Sequence, residues 1–330
     1  MKREPPFCHY SSAVPSGHRR NAMPSTRESG ILTLAAIRKR KGEAQYLFNQ
    51  RQAILTVGLG GRAGREIATL LERALRKKLP VKAQIDPKKG LIHRATPLSE
   101  RELEEFYKNR IPLEKPEKAV YLNVASLDPT LFNTERFHRK VRCFRHCRNI
   151  IPNYKKAKKI FDFCAKQTCS LGGPFQVTPC IPFQYVIDGC YARAHKMRWI
   201  ITQKYHYCCE KVFSFAIPWP DTLAVQANKW GGCCVFWWYH VAPLVRVRLG
   251  RFAVLLMVID PGMFDKPVLL TTWLAAQENK NCSPNAKVTQ FSIQPGSAYA
   301  PNGGPNSYVT DPHYTATDAT LVNYRTLVTC

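Results

Sequence analysis

Two runs of aromatic and β-branched residues face each other across a short turn in the C-terminal half of the chain. Val235 to Val247 is the first, Phe252 to Ile259 the second, and Leu249-Gly250-Arg251 lies between them. Such a pair predicts an antiparallel hairpin whose return strand is buried. A three-residue loop centred on Gly250 sets His240 directly opposite Asp260, with Cβ atoms roughly 4.5–5.5 Å apart. A two-residue loop would offset them by one. A carboxylate beside an imidazole fixes its tautomer and supports the imidazolium. The register therefore predicts a His–Asp dyad, against the alternative of a structural pair on an ordinary sheet edge.

A thiol to partner that dyad stands upstream. Asp188-Gly189-Cys190-Tyr191-Ala192-Arg193-Ala194 reads as a helix start, with Asp188 as the expected N-cap. Cys190, Ala194, Met197 and Ile201 then fall on one face. A cysteine in the first turn feels the positive end of the helix dipole, and the free N–H groups there favour a thiolate. The same donors suit an oxyanion. A buried cysteine or half of a disulfide is the alternative. Taken together, Cys190, His240 and Asp260 form a Cys…His…Asp order that serves acyl chemistry, in which a thiolate attacks a carbonyl and water resolves the thioester.

The 330 residues include thirteen cysteines and carry a net charge of +26. So many cysteines predict folding in an oxidising compartment, with six disulfides and one working thiol. The chain is therefore expected to be secreted, although residues 1–30 are polar and show no signal-peptide core. No apolar run is long enough to span a membrane, so no membrane partner is expected. The basic charge suits acidic protein surfaces. It comes without a zinc-finger, helix-turn-helix or RNA-binding signature, so nucleic acid is not an expected partner.

Along the chain, residues 1–50 read as a disordered basic leader. Residues 51–148 read as a small α/β unit followed by a basic linker open to proteolysis. In it, Ala53 to Val57 and Pro80 to Ile85 are expected strands. Arg62 to Lys78 is an amphipathic helix with Ile67, Leu70, Leu71 and Leu75 on one face, and Ser99 with Glu102 is a capping box. Residues 149–330 form the expected catalytic domain, opening on a helix from Tyr154. The pattern is α+β, with no regular βαβ alternation.

The segment Asp188 to Arg198 resembles the nucleophile segment of the bacterial protein-glutaminases, or protein-glutamine deamidases. Tyr239-His240-Val241-Ala242-Pro243-Leu244-Val245 resembles their histidine strand, and Ile259-Asp260-Pro261 their aspartate strand. The similarity runs from about Ile151 to the C-terminus, and Pro80 to Phe106 looks like part of the family's pro-region. The resemblance implies a papain-like or transglutaminase-like cysteine hydrolase core, preceded by a pro-region that a processing protease removes. It implies Cys190 as nucleophile, His240 as general base and acid, and Asp260 as orienter, with Trp238 and Tyr239 beside the substrate. The implied substrates are proteins with exposed Gln, and no cofactor or metal is implied. The protein is expected to act as a monomer. The resemblance also suggests disulfides Cys169–Cys180 and Cys209 with Cys233 or Cys234.

Other readings compete. Transglutamination or peptide cleavage would use the same triad, and a basic binding module would use none of it. Gly58-Leu59-Gly60-Gly61-Arg62-Ala63 fits a dinucleotide-binding turn, with Asp86 ending the next strand. His138, Cys143, His146 and Cys147 have the residue types of a zinc site at irregular spacing. His195 and His206 read as surface or packing residues.

Overall fold

A computed structural model describes residues 28–110, 112, 120–123, 148–217, 220–251 and 253–330. The proposed zinc residues His138, Cys143, His146 and Cys147 lie outside the described residues, as do residues 1–27 of the expected leader.

Residues 28–50 depart from the disordered leader expected of them. They form β1 (Glu28–Leu32), β2 (Leu34–Arg40) and β3 (Glu43–Phe48). The run Arg38-Lys39-Arg40-Lys41 hides a hairpin, because β2 and β3 pair around a turn at Gly42, where φ is +81°. Their buried residues include Leu34, Ala44, Tyr46 and Phe48. β4 (Leu55–Gly58), α1 (Arg62–Lys77), β5 (Val81–Asp86) and β6 (Leu91–Pro97) complete this half. The sheet order is β1-β5-β6-β4-β3-β2. Helix α1 buries Ala68, Leu71 and Ala74 against it, and the expected Ile67, Leu70 and Leu75 pack at the margin. The strand after α1 pairs antiparallel with β1 and β6 rather than parallel with β4. The glycine turn before α1 therefore opens no dinucleotide-binding βαβ unit. Helix α2 (Glu100–Lys108) starts on the capping box of Ser99 and Glu102.

The second sheet gathers β7 (Val120–Asn123), β8 (Glu210–Phe215), β11 (Tyr239–Leu249), β12 (Ala253–Val258), β13 (Val268–Leu269) and β14 (Gln290–Gln294). Its order is β13-β12-β11-β8-β14-β7, antiparallel throughout. One edge strand thus comes from residues 120–123, before the expected start of the catalytic domain at 149. β9 (Leu223–Gln226) with β10 (Cys234–Trp237), and β15 (Ala298–Pro301) with β16 (Tyr308–Thr310), are separate ribbons.

Helix α3 (Tyr154–Ala165) is capped by Asn153 and buries Ala157, Ile160, Phe161 and Cys164, the spacing of one helical face. Helix α4 (Cys190–Trp199) differs: every residue from Cys190 to Met197 is buried. It is the central helix, with β11, β15 and α6 (Thr315–Tyr324) packed around it. Its polar residues find partners inside. Arg193 donates to the carbonyls of Tyr185 and Asp188, and Lys196 to that of Thr178 and to Asp318. The fold is α+β, as expected.

Disulfides join Cys169–Cys180, Cys233–Cys330 and Cys234–Cys282. The first agrees with expectation. Cys209 does not pair with Cys233 or Cys234; it is a buried free thiol, as are Cys164 and Cys190. Three free thiols also rule out six disulfides. Among the described residues no helix is long and apolar enough to cross a membrane.

Candidate active site

Cys190 is the first residue of α4, but the turn before it is built differently from the expectation. Gly189, not Asp188, is the N-cap, with φ +82°. A Cβ there would stand 2.8 Å from the ring of Tyr324, so both the conformation and the space call for glycine. Asp188 instead accepts hydrogen bonds from the backbone N–H groups of Gly189 and Gln52, at 2.8 and 3.0 Å. Its other oxygen takes Arg51 and the Tyr324 hydroxyl, both at 2.9 Å. Gly189 has no side chain with which to cap α4. The N–H of Cys190 is left for another acceptor, and the Oε1 of Gln52 takes it at 2.8 Å.

His240 lies on β11 and Asp260 just beyond β12. The hairpin register runs Leu244 to Val258 and Leu249 to Ala253, two residues away from the pairing centred on Gly250. An even slip keeps every side chain on its own face. After Val258 the chain leaves the ladder, and the N–H of Ile259 still reaches the carbonyl of Pro243. Asp260 thereby meets His240, with Nε2 to Oδ2 at 2.9 Å. The indole N–H of Trp273, on α5 (Leu270–Ala275), donates to the same oxygen at 3.0 Å.

The imidazole stacks on Trp237 at a centroid distance of 4.4 Å, and Trp273 lies at 5.3 Å. Burial among these rings lowers the pKa of His240 against the pull of Asp260. Burial also opposes the Asp260 anion, but the hydrogen bond and charge of His240, with the Trp273 N–H, hold its pKa below the usual value. The pair is a neutral imidazole beside a carboxylate. With Nε2–H turned to Asp260, Nδ1 is the basic nitrogen, and it is buried without a partner among the described residues.

The helix-start argument for a thiolate is outweighed in this form of the chain. Cys190 is 1% exposed, and burial pushes its thiol well above the usual value despite Arg193 and a hydrogen bond from the Val241 backbone. Helix α4 packs on β11, and Cys190 lies in the same core cluster as Val241, the residue following His240. Cys190, His240 and Asp260 thus share one buried site, on α4, β11 and the end of β12.

Trp238 and Tyr239, expected beside the substrate, are both buried. The Trp238 N–H donates to the Gln52 carbonyl at 3.2 Å, and its indole to the Arg51 carbonyl at 2.6 Å. Tyr239 packs edge-on to Trp238. His195 is a packing residue but not a surface one, held between Lys211 and the carbonyl of Asp311.

Sequence reasoning missed the strip from Asn49 to Ala53, which crosses the site. Ala53 forms a bridge with Trp237, and Asn49 accepts from the N–H of Gly303. Arg51 is buried between Glu28, Asp188 and Tyr324. Burial works against its charge, but Asp188, Tyr191 and Glu28 outweigh that and hold the guanidinium protonated. Burial pushes the Asp188 carboxyl up to about 6 against the pull of Arg51, so both partners are charged at neutral pH. A polar strip with no periodicity gives no local sign that it will be buried.

A family model described as glutaminase matches residues 157–277, which span Cys190, His240 and Asp260. A crystal structure of pro-protein-glutaminase is similar over 92% of this chain and 95% of its own, at 25% identity and a TM-score of 0.66. An A47Q2 mutant of pro-protein-glutaminase gives the same identity and TM-score over 91% and 94%. The NMR structure of protein-glutaminase from Chryseobacterium proteolyticum is 34% identical over 55% of this chain and 91% of its own, with a TM-score of 0.48. No curated protein sequence matches.

Proposed function

The chain belongs to the protein-glutaminase family, and from that premise we propose that it deamidates protein-bound glutamine with Cys190, His240 and Asp260 as its catalytic triad. The observation that carries the assignment is the seat at Cys190. A glutamine carboxamide lies with its oxygen on the N–H of the nucleophile residue, beside a His–Asp pair whose free nitrogen is Nδ1.

The chemistry follows from that arrangement. His240 Nδ1 takes the thiol proton as Cys190 Sγ attacks the carboxamide carbon. The Cys190 N–H, at the positive end of α4, receives the oxyanion. The C–N bond breaks and ammonia leaves with the proton from His240, giving a γ-glutamyl thioester. Water, deprotonated by His240, then breaks the C–S bond, yielding Glu and the thiol. Asp260 holds the imidazole and supports its cation, and Trp273 holds Asp260. Trp238 and Tyr239 wall the substrate side, with the Trp238 backbone N–H as a donor to the main chain of an incoming substrate.

The unprocessed chain is masked. His240 is 3% exposed and Cys190 less, beneath the strip from Asn49 to Ala53. We assign residues 28–110 to a pro-region that a processing protease releases by cutting within residues 111–147. The mature enzyme, a secreted monomer, then acts on exposed glutamines of other proteins, and its disulfides suit an oxidising compartment.

The test is ammonia release from a reduced, carboxymethylated glutamine-containing protein after limited proteolysis. Cys190→Ala should abolish release and His240→Ala nearly so. Full activity in Cys190→Ala would sink the assignment, and new peptide termini or cross-links without free ammonia would move it to proteolysis or transglutamination.

A further inference from the structure

Gln52 is held as a substrate would be. Its side chain is fully buried. Oε1 accepts from Cys190 N–H at 2.8 Å, and Nε2 donates to the Val186 carbonyl at 3.0 Å. Its main chain is gripped on both sides, by Asp188 at the N–H and by the Trp238 N–H at the carbonyl. The flanking residues are fixed too, Arg51 through the Trp238 indole and Ala53 through its bridge to Trp237. A strip that served only to cover the site would need no carboxamide on the nucleophile's N–H. An apolar residue of the same length would fill the space without it.

We propose that Gln52 is the enzyme's own first substrate, deamidated to glutamate by Cys190 in the unprocessed chain. The step rests on the glutaminase reading of the same site. Cys190 Sγ bonds to Cδ of Gln52 as its proton passes to His240. The C–N bond breaks, ammonia leaves with that proton, and one water molecule breaks the thioester. The balance is one Gln and one water consumed, one Glu and one ammonia formed. Tethering supplies the orientation, because the strip holds the carboxamide in place without a bimolecular encounter.

The product fits its own seat poorly. The new glutamate side chain has no N–H for the Val186 carbonyl, so a carboxylate oxygen faces a carbonyl oxygen across the former hydrogen bond. It adds a negative charge to a buried site that already holds Asp188 and Asp260. Arg193, a cation of the same helix, is already committed to the carbonyls of Tyr185 and Asp188. One turnover therefore loosens the mask and admits water to the cleft. The unprocessed chain carries a single-use release step ahead of proteolysis.

The experiment uses the full-length protein and its Cys190→Ala variant, digested and sequenced by mass spectrometry across residue 52 over time. The expected result is glutamate at position 52 in the wild type, at a rate independent of dilution, whether found on isolation or formed on incubation. Cys190→Ala should keep Gln52. A full-length Gln52→Glu variant should unfold at lower temperature than Cys190→Ala, and its Cys190 should react faster with a thiol reagent than Cys190 does in a full-length Gln52→Leu variant. Equal conversion in Cys190→Ala, or a rate that rises with concentration, overturns the proposal. So does intact Gln52 in wild type whose proteolysed form releases ammonia from carboxymethylated lysozyme; in that case the glutaminase reading stands alone. Absence of both activities takes both readings down.

Discussion

His240 Nε2 and Asp260 Oδ2 are 2.9 Å apart, and the same carboxylate oxygen accepts from Trp273 at 3.0 Å. The carboxylate fixes which imidazole nitrogen is basic, and the indole fixes the carboxylate. Asp260→Asn keeps the shape but can present an N–H to Nε2, turning the free proton to Nδ1, where the thiol must deliver one. It is expected to lower kcat by about 10²–10⁴-fold with little change in KM. Trp273→Phe removes one of two donors and should cost less, about 10-fold. Steady-state ammonia release by the proteolysed variants measures both. Unchanged kcat in Asp260→Asn would remove Asp260 from the mechanism.

Gly189 sets where α4 begins, and so where the sulfur of Cys190 stands. Its φ of +82° is costly for any other residue, and the ring of Tyr324 occupies the place of a Cβ. Tyr324 cannot yield freely, because its hydroxyl is tied to Asp188 and Arg51. Gly189→Ala is expected to destabilise the fold by about 2–4 kcal/mol. Displacing the nucleophile by a fraction of an ångström should lower kcat by about 10–100-fold. Denaturant titration and ammonia release separate the two effects.

Arg51 is the bolt of the mask. Its guanidinium, buried itself, answers Glu28 at the margin and Asp188 in the interior together. Arg51→Ala leaves Asp188 as a buried anion without its partner, a change worth about 3–5 kcal/mol in such settings. Lysine should not restore it, since a single ammonium cannot reproduce the forked contact. The expected outcome is ammonia release from an external protein by the uncleaved variant, where uncleaved wild type is silent. After cleavage in residues 111–147 and removal of the pro-region, the two enzymes have the same sequence and should have the same rate.

Local signals carried much of this arrangement into the sequence. The apolar stripe of α1, the Ser99 capping box and the helix from Tyr154 are written within a turn or two of chain, and each stands where its pattern puts it. The meeting of His240 and Asp260 was legible for a subtler reason: the hairpin slipped by two, and an even slip does not exchange faces. What could not be read was long-range. Gln52 and Cys190 are 138 positions apart, and nothing near either one announces the other. The strands at 28–48 were hidden because their charged residues cluster at the turn end of a hairpin, where they imitate a linker. The thiol was expected to be activated by its helix, but the dipole argument carries no information about burial, and burial wins in the masked chain.

His195 gives the fold an acid-sensitive point away from the catalytic groups. Its Nε2 faces the Asp311 carbonyl at 3.1 Å, which requires a proton there, and its Nδ1 accepts from Lys211 at 2.6 Å, which requires a lone pair. Only the neutral ring satisfies both. Burial first, then the charges of Lys211 and Arg198, depress its pKa to about 2. Between about 6.5 and that value the unfolded chain binds a proton that the folded chain refuses, so stability falls as pH falls, by about 1.4 kcal/mol per pH unit once below 6.5. The contribution is fully present above 6.5. His195→Gln keeps an acceptor for Lys211 and a donor for Asp311 but cannot titrate. Urea midpoints at pH 7.5, 6 and 5 should therefore fall less steeply in the variant than in wild type. Parallel slopes would show that His195 takes up its proton in the folded state as readily as in the unfolded one.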